Sequence, residues 1–170
     1  SFNIDNLLLQ LEYNHVRPYV YAHSNPLTNY AHSNQRMGHQ WGGNFKEFIA
    51  VARYFKGRWF GDAKLTYGKR GLDFDTEANP FNYGGNIYKN YEIGRPRDTG
   101  VKTGQGNETT ILIADLQAGY LVNPATNLKF FAGLIYRNFN PNVATPTAFK
   151  EDTTWFCIGL RADLFNWYFD

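Results

Sequence analysis

Apolar and polar residues alternate with a period of two in six stretches of the chain, the spacing that sends successive side chains to opposite faces of a β-strand. The clearest stretch runs from Arg58 to Gly68, with Trp59, Gly61, Ala63, Leu65 and Tyr67 on one face and Arg58, Phe60, Asp62, Lys64 and Thr66 on the other. From near Thr109, Leu112, Ala114, Leu116, Ala118, Tyr120 and Val122 share a face opposite Ile111, Ile113, Asp115, Gln117 and Gly119. Leu128, Phe130, Ala132, Leu134 and Tyr136 follow, against Lys129, Phe131, Gly133, Ile135 and Arg137. The last stretch sets Phe156, Ile158, Leu160, Ala162 and Leu164 against Cys157, Gly159, Arg161 and Asp163. The first sets Leu7, Leu9, Leu11 and Tyr13 against Leu8, Gln10, Glu12 and Asn14, and a weaker one sets Phe48, Ala50, Ala52 and Tyr54 against Glu47, Ile49, Val51 and Arg53. Within the stretches the charges keep to one parity.

A half-buried strand of a soluble sandwich also alternates, so the connections decide how these strands are read. Two connections are short, residues 55–57 and 123–127, the second carrying the Asn and Pro of a tight turn. Three are long, at roughly 15–44, 69–108 and 138–153. Short and long alternate strictly, as in outer-membrane barrels with short periplasmic turns and long extracellular loops. Tyr13, Tyr54, Trp59, Tyr67, Tyr120 and Tyr136 stand at strand ends, where interfacial aromatic girdles belong. Each strand has room for about ten residues, enough to cross a bilayer when tilted. The expectation is an all-β, antiparallel transmembrane β-barrel.

The smallest such barrels have about eight strands, so about six would leave edges unpaired in lipid, at several kcal/mol for each unsatisfied backbone group. Either strands precede Ser1, or a loop segment such as residues 86–93 supplies more. The first is favoured: residues 1–170 read as a single C-terminal portion of a larger barrel. Met37 as the lone, internal methionine fits a piece of something longer.

Composition removes other classes. Cys157 is the one cysteine, so no internal disulfide staples the fold. The longest apolar stretch, 130–136, falls far short of the roughly 18 residues of a spanning helix. A net charge of +2 does not advertise a nucleic-acid surface.

The final residues, Gly159-Leu160-Arg161-Ala162-Asp163-Leu164-Phe165-Asn166-Trp167-Tyr168-Phe169-Asp170, resemble the closing-strand signal of outer-membrane proteins, departing from it in the terminal Asp170. The stretches Asn6–Tyr19, Leu27–Gln35, Gly38-His39 and Gly43-Asn44-Phe45 resemble the outer-membrane barrels of Bacteroidetes-type bacteria, within them the group of the gliding-motility protein RemB and the capsule-assembly protein Wzi. That resemblance implies surface motility, polysaccharide attachment, or membership of a secretion or assembly complex. It transfers no catalytic residue.

Candidate chemistry lies in the loops. All four histidines, His15, His23, His32 and His39, fall in or beside the first one, and Tyr-Ala-His-Ser-Asn occurs at 21–25 and again at 30–34. Imidazole suits a transition metal, but the spacings match no compact ligand motif, so a scaffold role is preferred. Asp73-Phe74-Asp75-Thr76-Glu77 offers oxygens to calcium but lacks the glycine and bidentate glutamate of a calcium loop, and a solvated rim is the better account. Residues 95–106 are basic and glycine-bearing, no P-loop, and read as an exposed tip that could touch anionic lipopolysaccharide. Ser24 and Ser33 each follow a histidine, without a nucleophile elbow, so a hydrolase is disfavoured. The mixed charges of the polar parity read as a cross-strand network narrowed by Phe60, Phe131 and Ile135 rather than as a channel lining.

Tyr19, Tyr21, Tyr30, Trp41, Tyr88 and Tyr91 are the candidate loop contacts for a sugar or protein partner, the counter-reading being that the loops bury these rings in one another. The sequence thus points to a non-catalytic surface barrel without cofactor or nucleic-acid partner. It would be held by outer-membrane lipid and lipopolysaccharide and would engage protein partners, with a capsule or surface polysaccharide as the alternative.

Overall fold

A computed structural model describes residues 5–162. Asp163 and the rest of the closing-strand signal lie outside the described residues. The fold is all-β: β1 (Leu7–Val16), β2 (Ala31–His32), β3 (Gln35–Arg36), β4 (Phe45–Lys56), β5 (Trp59–Leu72), β6 (Asn107–Asn123), β7 (Leu128–Pro141) and β8 (Glu151–Arg161). One three-residue 3₁₀ turn, Pro26–Thr28, interrupts the first loop. The large sheet is an antiparallel meander in the order β1-β4-β5-β6-β7-β8, and β2 and β3 form a separate small hairpin. Among the described residues no pairing joins β8 back to β1, so the sheet is open. Residues 86–93 add no strand to it.

The six strands lie where the alternation puts them, but they run longer than their apolar faces. β5, β6 and β7 extend to Leu72, back to Asn107 and on to Pro141, shortening the long loops to 17–44, 73–106 and 142–150. The short connections are tight for local reasons. Gly57 takes φ +62° between β4 and β5, a conformation that costs glycine nothing. Between β6 and β7 the Asn123 side chain accepts from Ala125 N at 2.9 Å, and the register slips by one between Leu121 and Asn123, a bulge that sharpens the turn.

Register aligns the parities across the whole sheet. Leu11 faces Ala50, Ala50 faces Leu65, Leu65 faces Ala114 and Ala114 faces Tyr136, so the apolar parities form one continuous surface. That surface is open to solvent: Leu9 is 68% exposed, Leu11 71%, Ile158 62% and Leu160 68%. Water would charge about 25 cal/mol for each Å² of such area, so a soluble sheet covers it. Among the described residues no second sheet does.

The opposite face is polar and concave. Gln10 and Glu12 of β1, Lys64 of β5, Asp115 of β6 and Arg161 of β8 line one cavity of about 540 Å³, so the sheet curls far enough for its last strand to reach a space walled by its first. Arg53 and Asp62, directly opposite across β4 and β5, approach to 3.5 Å. Lys129 lies over Phe60 and Arg161 over Phe131, each 5.8 Å from the ring centroid, so the bulky rings on this face are covered by cationic side chains.

Candidate functional site

The three long loops pack together over the loop end of the polar face. Their foundation is a small apolar plug: Trp41 folds down from the first loop onto Phe45 and Ile111, with Val16, Ile113 and Phe139 packed around them. His39 lies tilted against Phe45, ring centroids 4.3 Å apart, and its Nε2 meets Glu47 Oε2 at 2.8 Å. Glu47 is only 2% exposed, and Asn14 Nδ2 donates to it at 3.1 Å.

Asn44 joins the loops. It is wholly buried at φ +60°, and its side-chain amide donates to Gly71 O at 3.0 Å, Tyr83 O at 3.1 Å and Gln105 O at 2.9 Å. Its oxygen accepts from Gly104 N at 2.7 Å. A two-hydrogen amide shared among three carbonyls ties the end of β5 and two distant points of the second loop to the first. Gly71 has to be glycine here, since a Cβ would fall 2.0 Å from Gln105 O and 2.2 Å from Asn44 Nδ2.

Two carboxylates of the acidic run at the head of the second loop share one ammonium from within the same loop. Lys89 Nζ meets Asp73 Oδ2 and Asp75 Oδ1, each at 2.6 Å, while Asp73 Oδ1 accepts from Tyr83 N at 2.7 Å. Burial works against the ammonium, but its bonds to Asp73 and Asp75 outweigh that and raise the Lys89 pKa above its ordinary value. Of the acidic side chains read as possible calcium ligands, Asp73 and Asp75 are thus engaged by an ammonium group. The basic stretch is also more anchored than its composition suggests. Arg95 donates to Tyr91 O and lies 4.9 Å from the centroids of both Tyr19 and Tyr91, and within this stretch residues 97–100 form the one exposed run.

The candidate contact residues divide. Tyr19 donates to Asn82 O at 2.7 Å, and burial raises its phenol pKa against the pull of Arg95. Tyr21 and Tyr30 stack with centroids 5.5 Å apart, Tyr30 remaining 51% exposed. Tyr88 donates to Asn34 O at 3.0 Å and lies under Arg36. Trp41 spends its ring on the plug and is 7% exposed, so for this residue the loops bury the ring. Tyr19 and Tyr91 meet through Arg95, and Tyr21 meets Tyr30; the six do not converge on one pocket.

The histidines are dispersed. His15 Nε2 lies 2.8 Å from Thr103 Oγ1, His39 holds Glu47, and His32 lies in the small hairpin. His23 Nδ1 accepts from Asn25 N at 3.1 Å and lies 2.8 Å from Thr28 Oγ1, so its lone pair is spent on its own loop; Ser24 Oγ is 3.5 Å away. Two features escaped the sequence reading. Asn44 had a faint signal in Gly42-Gly43-Asn44, a run suited to positive φ. Arg36 and Arg70, which share a cavity, had none, being single arginines from separate elements. No protein-family model, curated protein or solved structure matches this chain.

Proposed function

We propose that this chain is part of an outer-membrane β-barrel that works without catalysis, as a surface component of an assembly, gliding-motility or secretion complex, its loop cap meeting protein partners. One observation carries the membrane reading: the sheet's continuous apolar surface is exposed while its charges face a concave interior. A soluble protein buries the first and exposes the second; lipid reverses the preference. The dimensions agree. Trp59 and Tyr67 are eight residues apart on β5, about 27 Å along a strand at about 3.4 Å per residue. Tilted as barrel strands are, that covers about 20 Å of depth, close to an apolar band of about 25 Å. Aromatic rings mark both limits, with Tyr13, Phe48 and Tyr67 in register toward the loops and Trp59 beside Tyr120 toward the turns.

The assembly role is what the resemblance read in the sequence would imply, and the cap supports it. Its loops are cross-tied by Asn44 and the Lys89 pair, presenting a preformed surface that binds at low ordering cost. A surface polysaccharide is the second reading, favoured by the exposed ring of Tyr30 supported from behind by Tyr21.

The test is native extraction in detergent, unheated and heated gel migration, and mass spectrometry of companion chains. A heat-shifted band with stoichiometric companions is expected. A heat-shifted band alone moves the weight to the polysaccharide reading, and a species that dissolves without detergent and does not shift overturns the barrel.

A further inference from the structure

Arg36, at the end of β3, and Arg70, near the loop end of β5, line a cavity of about 130 Å³ at the junction of all three long loops. Asp73, Asp75 and Gly85 of the second loop and Thr147 of the third complete the parts of its wall that bear on charge. One nitrogen of each guanidinium is tied to backbone, Arg36 to Gln40 O and Arg70 to Gly85 O at 3.4 Å. The Nε of each is buried with no hydrogen-bond partner. A buried donor left unmade costs about 1–3 kcal/mol, more when it carries charge, and here two such groups share one cavity.

The carboxylates in the wall make no direct ion pair with either arginine, although the charge of Asp73 acts on Arg70 from a distance. Asp73 and Asp75 are both held by Lys89 at 2.6 Å. Three cationic side chains therefore face two carboxylates, leaving a surplus positive charge around a space the size of one small acidic group. Burial, reinforced by the charge of Arg36 and only partly opposed by that of Asp73, lowers the Arg70 pKa to about 10. Arg70 lies beyond Tyr67, on the loop side of the aromatic row.

We propose that Arg36 and Arg70 form a binding site for an oxyanion, a phosphate or carboxylate group, that enters between the three loops. Planar guanidinium forks match such groups in geometry as well as charge. The cavity takes the acidic group and no sugar ring, so the ligand is either a free anion or the acidic substituent of a larger surface molecule. The site does not depend on the membrane reading.

The test is calorimetric titration of the full-length protein with inorganic phosphate and with D-glucuronate, at constant ionic strength set by chloride. Saturable binding of at least one probe is expected. It should weaken about tenfold or more in Arg36→Gln, the worth of one charged hydrogen-bonding group, and stay unchanged in Arg97→Gln on the exposed tip. Phosphate alone identifies a free or phosphoryl anion, and tighter glucuronate identifies an acidic sugar. Hydrogen exchange on the unmodified protein gives a measurement that does not rely on a variant folding: the probe should slow exchange around residues 36–40 and 70–75. Absence of saturable binding by both probes, equal binding in Arg36→Gln, or slowing confined to other regions overturns the site.

Discussion

In the loop cap, Asn44, Phe45, Ile87, Asn107 and Thr109 are each under 2% exposed; a few residues down the same sheet, Leu9, Leu11, Ile158 and Leu160 are each more than 60% exposed. The cap is packed as the interior of a water-soluble protein is, and apart from the Nε atoms of Arg36 and Arg70 its buried polar side chains are paired, as where Asn107 donates to Val143 O and accepts from Val143 N at 2.7 and 3.0 Å. The strands below satisfy their backbones by pairing and leave one face of their side chains without protein cover. Within one chain, one region is closed to solvent and the other presents its apolar side chains to it. The cap's stability rests on hydrogen bonds made far from water, and the strands' on what lies against their apolar face.

The largest effect expected from breaking this contrast is in the cap. Asn44→Ala removes four hydrogen bonds and places alanine at a positive φ, for a cost of roughly 3–5 kcal/mol. Hydrogen exchange should show the loops at 73–106 opening while β5 to β7 keep their protection. Equal loosening of both regions would show that cap and sheet are one cooperative unit.

Next is the apolar face. Leu116, 46% exposed at mid-strand, replaced by arginine should cost about 2–4 kcal/mol in lipid and show as loss of assembled, heat-shifting protein. The same substitution on a sheet facing water would be close to neutral, so unchanged yield breaks the contrast outright.

The smallest effect is alkaline. Lys89 has its pKa raised in the folded protein, so its contribution is fully present below the ordinary value of 10.5 and is lost as pH rises through the raised value. Asp73 is buried, but Lys89 and Asp75 are partly open to solvent, and that screening limits the contribution to about 1 kcal/mol. The wild-type cap should loosen more than Lys89→Met between pH 10 and 12, read by exchange or proteolysis of the second loop. Parallel profiles would remove Lys89 as the clasp of Asp73 and Asp75.

Some loop structure was legible once the neighbours of a motif are read. Tyr-Ala-His-Ser-Asn folds in two ways. At 30–34, Ser33 and Asn34 both take positive φ and turn the β2–β3 hairpin. At 21–25, Asn25 precedes Pro26, which holds it in the extended region at φ −96°, and its side chain caps the 3₁₀ turn by accepting from Leu27 N at 3.0 Å. The repeat is one of sequence; the residue that follows decides the shape.

Alternation by itself determined the six strands and their faces, because side-chain direction in a strand is local and returns every second residue. It also determined which connections are short. Tertiary structure decided the rest: that strands run past their apolar faces, that Trp41 plugs the polar side, that Lys89 bridges Asp73 and Asp75, and that Arg36 and Arg70 share a cavity. Asn44 and Gln105 are 61 residues apart, and the two arginines sit on different elements. Such contacts have no period and no motif, because they exist only once the paired strands have brought the three loops to one end of the sheet.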